Sequence, residues 1–173
     1  MKLMPSWLKR RYLTNNHFQC IITGLIIVVA IWMAWGVGTY RVEGMSMFPT
    51  IENGDRVVTV SRFMWMDIPI LQNSVIILHR EGKALIKRVV ALPGDHVKID
   101  SGLLYINNIP QLNENNVLFN VTHGKLDQTM GPDQYFVLGD NRPVSRDSRS
   151  FGPIHQRQID GLVILRFTLP TLP

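Results

Sequence analysis

The sequence predicts a mainly β protein, built from antiparallel sheets, with one transmembrane helix at its N-terminus. Residues 12–40 contain no Asp, Glu, Lys or Arg, which is typical of a membrane-spanning segment. After residue 45, short runs rich in β-branched and aromatic residues alternate with turn signals, and no helix-period stretch of useful length occurs. This pattern indicates an antiparallel sandwich or open barrel. The 173 residues suffice for one anchor and one domain with its own core.

The predicted membrane helix has its apolar centre between about Cys20 and Gly38. At the helical rise per residue this stretch spans roughly 28 Å, close to the thickness of the hydrocarbon layer of a bilayer. Trp32, Trp35 and Tyr40 lie in its outer half, where interfacial aromatic residues are enriched. Because Cys20 is the only cysteine, an intrachain disulfide and a cysteine-based zinc site are excluded.

The orientation of this helix follows from the basic residues that precede it, Lys2, Lys9, Arg10 and Arg11. The first acidic residue is Glu43, so the positive-inside rule makes the N-terminal side cytoplasmic. We therefore divide the chain into a cytoplasmic basic N-terminus (1–17), a transmembrane anchor (18–40) and an extracytoplasmic β domain (41–173). The alternative is a cleavable signal peptide with its site near the small residues 36–38, but the apolar stretch is long for that.

The formal net charge of +5 bears on the partners of the protein. Part of the basic excess flanks the predicted anchor, and the later basic residues are interleaved with acidic ones. This distribution does not favour a nucleic-acid-binding face. We expect a phospholipid membrane as a partner, with a single-pass location in an inner or plasma membrane, and no nucleic acid.

Several runs of the β domain have the composition of strands: 56–60, 74–78, 84–92, 96–100, 103–106, 135–138 and 159–167. Ser101-Gly102 indicates a hairpin turn between two of them. Residues 107–132 are polar and weakly patterned, so we expect a long loop or an irregular insertion there. The apolar stretch 63–71 is expected to pack in the core or, alternatively, to dip into the lipid headgroup layer.

Ser46 is a candidate nucleophile in the stretch Gly44-Met45-Ser46-Met47-Phe48-Pro49-Thr50, which closely follows the predicted anchor. A nucleophilic serine needs a base within hydrogen-bond reach. None of the five histidines lies in a recognisable triad context, and position 48 is Phe rather than the glycine of a G-x-S-x-G elbow. A Ser-His-Asp enzyme is therefore not favoured. The ordinary alternative is a serine that makes only local hydrogen bonds in a turn.

Lys87 is the candidate base. On a strand over residues 84–92, Leu85, Lys87 and Val89 share one face, which places the lysine between two apolar neighbours. Burial disfavours the ammonium form and lowers the pKa of a lysine, and a lysine with a pKa of about 7–8 can act as a general base. The ordinary alternative is a strand lysine that reaches solvent.

A third stretch, Gly139–Arg149, is rich in small polar and charged residues and follows a predicted strand. The three stretches together resemble the conserved boxes of the type I signal peptidases, the bacterial leader peptidases. The serine box S-M-x-P-T is matched by residues 46–50 and the lysine box K-R-x-x-x-x-P-G-D by residues 87–95. The third box, G-D-N-x-x-x-S-x-D-S-R, is matched at every fixed position by residues 139–149.

This resemblance implies a largely antiparallel, signal-peptidase-like β fold and a membrane-bound serine endopeptidase. Such an enzyme removes signal peptides from exported preproteins after small-x-small motifs, typically Ala-x-Ala, through an acyl-enzyme. It needs no metal and no organic cofactor. Exported preproteins are then the substrates, the catalytic domain lies on the periplasmic or extracytoplasmic face, and we expect a monomer.

Carried over by position, the resemblance implies that Ser46 is the nucleophile and Lys87 the general base. Ser145 is implied to orient the Lys87 amine through a hydrogen bond. Four further residues are implied to support the pair: Asp140 and Arg88 in the surrounding shell, and Asp147 and Arg149 as a salt bridge.

The chain departs from the family pattern at a few positions. Gly44 stands where some members carry a serine whose hydroxyl helps to hold the oxyanion. The oxyanion would then rely more on backbone N–H groups, including that of Ser46, so Gly44 and Met45 are counted with the supporting and oxyanion residues. Ala91 stands where glycine is common, and the short interval between the second and third boxes lacks the extra β-domain of longer members.

Three alternatives remain open. The chain could be a peptidase dedicated to one secretion or conjugation system, processing a pilin. It could be a self-cleaving protein of the repressor type, which the predicted anchor disfavours. It could also be a non-catalytic, membrane-anchored binder of exported chains, although such a module has no use for both Ser46 and Lys87.

Overall fold

The computed structural model describes residues 18–31, 36–65, 69–111 and 125–168, apart from the side chains of Phe63 and Trp65. The chain divides into two compact units, residues 1–37 and 38–173, and each is described by itself. In the first unit, residues 18–31 form helix α1, whose apolar side chains are exposed along its length. Within these described ranges, no helix is both long enough and apolar enough to cross a membrane. The predicted cytoplasmic segment and the interfacial tryptophans, Trp32 and Trp35, lie outside the described residues.

The last residues of the predicted anchor, 18–40, form a strand. Val37–Arg41 forms strand β1, which lies at the edge of a sheet beside strand β2, Arg56–Ser61. The Thr59 hydroxyl donates a hydrogen bond to the Gly38 carbonyl oxygen across this pair (3.4 Å). A run of Val, Thr and Tyr favours a strand, and pairing with β2 satisfies its backbone groups, so these residues join the β domain.

The remaining strands are β3 (Val75–Arg80), β4 (Lys83–Ala91), β5 (His96–Asp100), β6 (Leu103–Ile106), β7 (Ile109–Pro110), β8 (Leu126–Thr129), β9 (Gln134–Leu138), β10 (Ile154–His155) and β11 (Ile159–Phe167). The short helices are α2 (Arg62–Trp65), α3 (Ser148–Phe151) and a 3-10 turn (Gln156–Gln158). A seven-stranded sheet has the order β1-β2-β11-β3-β4-β9-β10, and a four-stranded sheet has the order β7-β6-β5-β8. The antiparallel pairings of these strands confirm the predicted mainly β fold.

The predicted long loop over residues 107–132 is wrong at both ends. Ile109–Pro110 pairs with β6, and Leu126–Thr129 pairs with β5. Both are short edge strands, and β8 turns alternate side chains to solvent, so its polar sequence hides its strand character. The intervening residues 112–124 lie outside the described part of the chain.

The apolar stretch 63–71 is divided between helix α2 and a following segment. Ile70 is buried at 6% exposure, whereas Leu71 is 61% exposed. Residues 66–68 lie outside the described part, and so do the side chains of Phe63 and Trp65. The core prediction therefore holds for Ile70 and fails for Leu71.

Three groups of buried apolar side chains hold the β domain together. One packs the smaller sheet against β4 and β9, and a second lies between β3, β4, β9 and β11. The third joins the loop after β1 to β3 and β4 through Val42, Met47, Ile51, Ile77 and Ile86. Burial of these side chains stabilises the loop that carries Ser46 against the strand that carries Lys87.

Candidate active site

The loop between β1 and β2 carries Ser46, and its two ends are closed by backbone hydrogen bonds. The Val42 N–H donates to the Asp55 carbonyl oxygen (2.8 Å), and the Gly54 N–H donates to the Val42 carbonyl oxygen (2.8 Å). Between these ends, Met47 is 1% exposed and Ile51 is 3% exposed. Two buried apolar residues on either side of a turn fix the loop in the core, so Ser46 has a defined position at its surface.

Asp55 ties the same loop to the last strand. Its buried carboxylate accepts hydrogen bonds from the Glu52 N–H (2.9 Å) and the Thr168 hydroxyl (2.6 Å), and it pairs with Arg166 (3.0 Å). The hydrogen bond from Thr168 is the largest of the effects that lower the pKa of this carboxyl group. Arg166 also donates to the Thr50 carbonyl oxygen, so β11 holds the loop at two points.

Lys87 lies on β4 opposite Ile76 of β3 and is 2% exposed. Its Nζ atom is 2.9 Å from the Ser46 Oγ atom and donates to the Ile86 carbonyl oxygen at 2.8 Å. Burial lowers the pKa of Lys87 to about 8, against the opposing charges of Asp147 and Asp140. Near neutral pH a useful fraction of this amine is therefore unprotonated and can accept a proton from the serine.

The segment that follows β9 holds the backbone of Ser46. The Asn141 N–H donates to the Ser46 carbonyl oxygen at 3.0 Å. Gly139 lies so close that a Cβ atom there would be 2.5 Å from the Ser46 carbonyl oxygen and 2.2 Å from the Ser145 Oγ atom. Only a residue without a side chain fits this contact.

Asp147 and Arg149 form the predicted salt bridge in a nearly solvent-free position, with side chains 0% and 8% exposed. Arg149 Nε donates to Asp147 Oδ1 at 2.7 Å, and its Nη2 atom donates to the carbonyl oxygens of Arg142 (2.6 Å) and Ser145 (3.2 Å). The Asp147 carboxylate also accepts the Gly139 N–H at 3.0 Å. This pair therefore fixes the loop from both sides of Ser145.

Arg88 and Asp140 form a second, two-point ion pair, Nε to Oδ1 at 2.8 Å and Nη2 to Oδ2 at 2.6 Å. Arg88 Nη1 donates in addition to the Asn73 carbonyl oxygen at 2.9 Å. Arg88 lies opposite Leu138 of β9, so the pair links β4 to the segment that begins at Gly139. That Arg88 and Asp140 support the dyad stays a prediction of the resemblance.

One predicted contact is absent from the structure. Ser145 was expected to hydrogen-bond the Lys87 amine, but its buried hydroxyl has no hydrogen-bond partner within the described residues. Instead the Lys87 amine is engaged by Ser46 and Ile86, and the Ser145 hydroxyl lies against Gly139. The expected bond fails because the lysine reaches toward the serine loop.

The residues before Ser46 do not offer all the oxyanion donors that the sequence suggested. The Gly44 N–H is already donated to Asn53 Oδ1 at 2.9 Å, in a left-handed backbone conformation with φ +96°. The Met45 carbonyl oxygen accepts the Phe48 N–H at 3.2 Å, and the Met45 side chain is 48% exposed. Gly44 therefore shapes the loop rather than offering its N–H to a substrate.

Sequence reasoning missed several residues of this site. Asn53 and Asn141 contact the serine loop, and Arg146 forms a two-point pair with Glu81 in the turn between β3 and β4 (3.0 and 3.1 Å). Asn53-Gly54-Asp55 is a sequence typical of a tight turn, but a side chain that bonds a backbone nine residues away leaves no pattern in sequence. Asn141 was included only as part of the third box.

Ser46 and Lys87 open into a cleft of about 550 Å³. Its lining comes from residues 40–43, residues 83–87 and Ile77, together with Ser46. Within the described residues, β9 pairs with β4 only from Arg88 onward, so the edge of β4 over residues 83–87 is not covered by another strand. The cleft therefore has a free strand edge along one wall, ending at the dyad.

The histidines found in the described part of the chain lie elsewhere on the domain. His79, His96 and His155 each contact an aspartate, and none of the three lines the cleft. His17 and His123 lie outside the described residues. Within the described residues, the basic group in contact with the Ser46 hydroxyl is the Lys87 amine, at 2.9 Å.

The family model described as signal peptidase, peptidase S26, matches residues 14–168. Signal peptidase IB of Staphylococcus aureus (strain N315) is 34% identical over 150 residues, covering 76% of this chain and 78% of that protein. Signal peptidase I of Bacillus caldolyticus is 35% identical over 156 residues, covering 82% of this chain and 85% of that protein.

Among solved structures, the chain is similar to a crystal structure of signal peptidase I from Enterococcus faecalis V583. The two share 30% sequence identity with a TM-score of 0.46, over 56% of this chain and 97% of that chain. By sequence the protein falls in the class of serine proteases. More particularly, the chain belongs to the signal peptidase family, peptidase S26, and to its type I signal peptidases.

Proposed function

We propose that this peptidase removes signal peptides from exported preproteins, with Ser46 as its nucleophile and Lys87 as its general base. The observation that carries the proposal is the 2.9 Å contact between the Lys87 Nζ and Ser46 Oγ atoms. The lysine is buried and its pKa is lowered to about 8, while the serine faces a cleft. A base of this pKa, in reach of a hydroxyl at the end of a cleft, is suited to acyl transfer.

In the acylation step, the Ser46 oxygen attacks the carbonyl carbon of the scissile bond while its proton passes to the neutral Lys87 amine. The tetrahedral intermediate then collapses as the C–N bond breaks, and the leaving amine takes the proton from Lys87. Water, deprotonated by the same amine, hydrolyses the ester and restores the serine. Each step uses one proton, which Lys87 accepts and returns.

The oxyanion needs donors that are free before the substrate binds. The Ser46 N–H makes no hydrogen bond within the described residues, whereas the Gly44 N–H is engaged by Asn53. The Ser46 N–H is therefore the donor that we assign to the oxyanion. Fixing the Ser46 carbonyl oxygen through Asn141 orients the same backbone segment.

The substrate is proposed to bind as an extended strand between two free backbone edges. Residues 83–87 offer one edge. The N–H and the carbonyl oxygen of Val42 both bond to the turn at Gly54 and Asp55. Successive residues of an extended chain direct their backbone groups to opposite sides, so the backbone groups of Arg41 and Glu43 point into the cleft. Main-chain pairing of this kind binds many sequences, as a general signal peptidase must.

Cleavage after small-x-small motifs is the expected specificity. Near Ser46 the cleft is lined by the branched aliphatic side chains of Val42, Ile77 and Ile86. Such walls favour a small apolar substrate side chain and disfavour a charged one, whose desolvation would be uncompensated. Alanine meets both requirements.

Membrane anchoring is the remaining part of the proposal. Helix α1 exposes the consecutive residues Ile26, Ile27 and Val28 at 61%, 53% and 63%. A helix with apolar side chains on every side is suited to lipid, and the basic residues before it favour a cytoplasmic N-terminus. We assign the anchor to residues 18–36, which places the β domain on the outer face of the membrane.

The test is cleavage of a preprotein with an Ala-x-Ala site by the full chain in detergent, with the new N-terminus identified by mass spectrometry. Ser46→Ala and Lys87→Ala should each lower kcat/KM by about 10³-fold or more. Ser150→Ala and Lys98→Ala, matched changes outside the cleft, should not. Full activity in Lys87→Ala would refute the general-base assignment, and cleavage at another position would refute the specificity.

A further inference from the structure

The two walls of the cleft run in the same direction, which fixes what lies at each end of it. The loop bonds between Val42 and Asp55 make β1 antiparallel to β2. The pairings of β2 with β11, β11 with β3 and β3 with β4 are also antiparallel, so β4 runs parallel to β1. Ser46 follows β1, and Lys87 is the last residue of the free edge of β4, so the dyad lies at one end of the cleft. The earlier residues of both strands lie together at the other end of the cleft.

That opposite end carries two cations. Arg41 precedes Ser46 by five positions and Lys83 precedes Lys87 by four, and both are exposed and line the cleft. Along β4, four residues correspond to about 13 Å. Within the described part of the chain neither cation forms an ion pair, although nine other basic side chains do.

The acidic side chain of the cleft does not neutralise this pair. Glu43 lines the cleft nearer to Ser46 and lies on the same side of the extended chain as Arg41. Among the ion pairs of the described residues, none joins Glu43 to either cation. The cleft is therefore polarised along its length, with a carboxylate towards the dyad and, away from it, two cations that have no ion-pair partner among the described residues. A bound peptide would meet different charges at different positions.

We propose that Arg41 and Lys83 form a subsite for an acidic side chain of the substrate. This subsite receives the side chain of the fourth or fifth substrate residue from the scissile bond, on one side of that bond. The inference rests on the proposed function, because it takes the cleft to bind an extended preprotein segment whose scissile bond meets Ser46. An extended peptide advances about 3.3 Å per residue, so such a side chain reaches the end of the edge that Lys83 occupies. Glu43 disfavours an acidic residue nearer to the dyad, which makes the preference positional.

The experiment uses the full chain in detergent and synthetic substrates with an Ala-x-Ala site. Asp, Gln or Lys is placed at the fourth and fifth residues on each side of the scissile bond, in separate peptides. On one side only, wild type should cleave the Asp peptide with a kcat/KM roughly 3- to 10-fold above that of the Lys peptide, because two partly solvated cations contribute. The ratio should fall toward one as salt is raised.

Variants of the two cations decide whether they cause the preference. Lys83→Glu and Arg41→Glu should each reduce the Asp-to-Lys ratio, and the double variant should invert it. Lys125→Glu makes the same charge change at an exposed lysine outside the cleft and should leave the ratio as in wild type. A ratio of one in wild type, or a preference that survives in the double variant, would overturn the subsite.

Binding separates this inference from the proposed function. Fluorescence anisotropy with Ser46→Ala measures the Kd of the same peptides without turnover. A tighter Kd for the Asp peptide that is lost in Lys83→Glu supports the subsite, whether or not the peptides are cleaved. Failure of wild type to cleave the Gln peptide would contradict the proposed function and leave the subsite standing. Cleavage of the Gln peptide with equal Kd for Asp and Lys peptides keeps the proposed function and removes the subsite.

Discussion

Lys87 and Arg88 are consecutive residues of β4, and the two faces of the strand give them different surroundings. Lys87 is 2% exposed and faces a hydroxyl and a backbone carbonyl oxygen, and no carboxylate of the described residues contacts it directly. Arg88 is 21% exposed and meets the Asp140 carboxylate at two points. Lys87 is therefore buried without an ion-pair partner among the described residues, whereas the charge of Arg88 is neutralised by Asp140.

The difference shows how the fold separates chemistry from support. A direct carboxylate would stabilise the ammonium form and keep the lysine protonated. In this site Asp147 and Asp140 act on Lys87 only from a distance, because each is already bound to an arginine. The two arginines thus neutralise the aspartates of the third box, and the burial of Lys87 is the dominant effect on its pKa, which it lowers.

The largest effect that would break this separation is expected from Asp147→Asn. The change removes a fully buried carboxylate from its pair with Arg149 and should cost roughly 3–5 kcal/mol of unfolding free energy. It also removes a charge that raises the pKa of Lys87, so the active limb of the pH profile should move to lower pH. Urea unfolding of the full chain in detergent measures the first effect. Asp160→Asn, an exposed control, should change stability by no more than about 0.5 kcal/mol.

Gly139→Ala tests the contact that brings the third box to the serine. The new Cβ atom would lie 2.5 Å from the Ser46 carbonyl oxygen, so the backbone of the nucleophile must shift. We expect kcat/KM to fall about 10- to 100-fold, since small displacements of a reacting group are costly. The control is Gly131→Ala, whose Cβ atom would meet only the flexible Gln134 side chain, at 3.2 Å. Equal activity of both variants would contradict the proposed packing.

Lys87→Met removes the catalytic amine together with the free-energy cost of burying it, so activity and stability should change in opposite directions. The folded pKa of about 8 lies below the ordinary lysine value of 10.5, so the unfolded chain binds more protons between these pH values and wild-type stability rises with pH across that window. Below pH 8 the full cost is present, at most about 3 kcal/mol. The inactive variant should therefore be more stable than wild type at pH 7, by on the order of 1–3 kcal/mol, and the gain should shrink towards pH 10.5.

Urea unfolding at pH 7 and pH 10 measures this change. Lys98→Met, at a side chain that is 39% exposed, is the matched control and should show no such pH-dependent gain. A variant that is less stable than wild type at pH 7 would mean that the amine stabilises the fold rather than straining it.

The smallest effect is expected on the other face of β4. Asp140→Asn weakens a partly solvated pair and should cost about 1–2 kcal/mol, less than the loss of Asp147. Glu81→Gln, which weakens the more exposed pair with Arg146, should cost less again. If Asp140→Asn were as damaging as Asp147→Asn, the contrast between a buried and a half-buried pair would not hold.

Local pattern was enough to predict most of the fold. The strands that flank the dyad, β3, β4 and β9, were predicted within about two residues at each end, because each is an apolar run bounded by turn residues. Strand β1 was assigned to the anchor instead, because an uncharged run is compatible with a membrane helix. Its pairing with β2 is a tertiary contact that the local sequence does not reveal. Strands β7 and β8 were missed since short edge strands carry little apolar pattern.

The site was predictable where the motifs are contiguous in sequence, and less so where it depends on geometry. Ser46 and Lys87 were predicted to meet, and their 2.9 Å contact agrees. The Ser145 bond and the Gly44 oxyanion role were not found, because the direction of a lysine side chain and the prior engagement of an N–H are set in three dimensions. Arg41 and Lys83 drew no attention in sequence, as only the parallel course of β1 and β4 brings them to one end of a cleft.

The most direct test of the central claim is the dependence of kcat/KM on pH for a small Ala-x-Ala substrate without ionisable groups. If neutral Lys87 is the base, log kcat/KM should rise with unit slope on the acidic side and level off above a pKa of about 8. In Asp140→Asn the same limb should shift to lower pH, since one charge that favours the ammonium form is lost. A profile that is flat from pH 6 to 10, or a limb that does not respond to that change, would contradict Lys87 as the base.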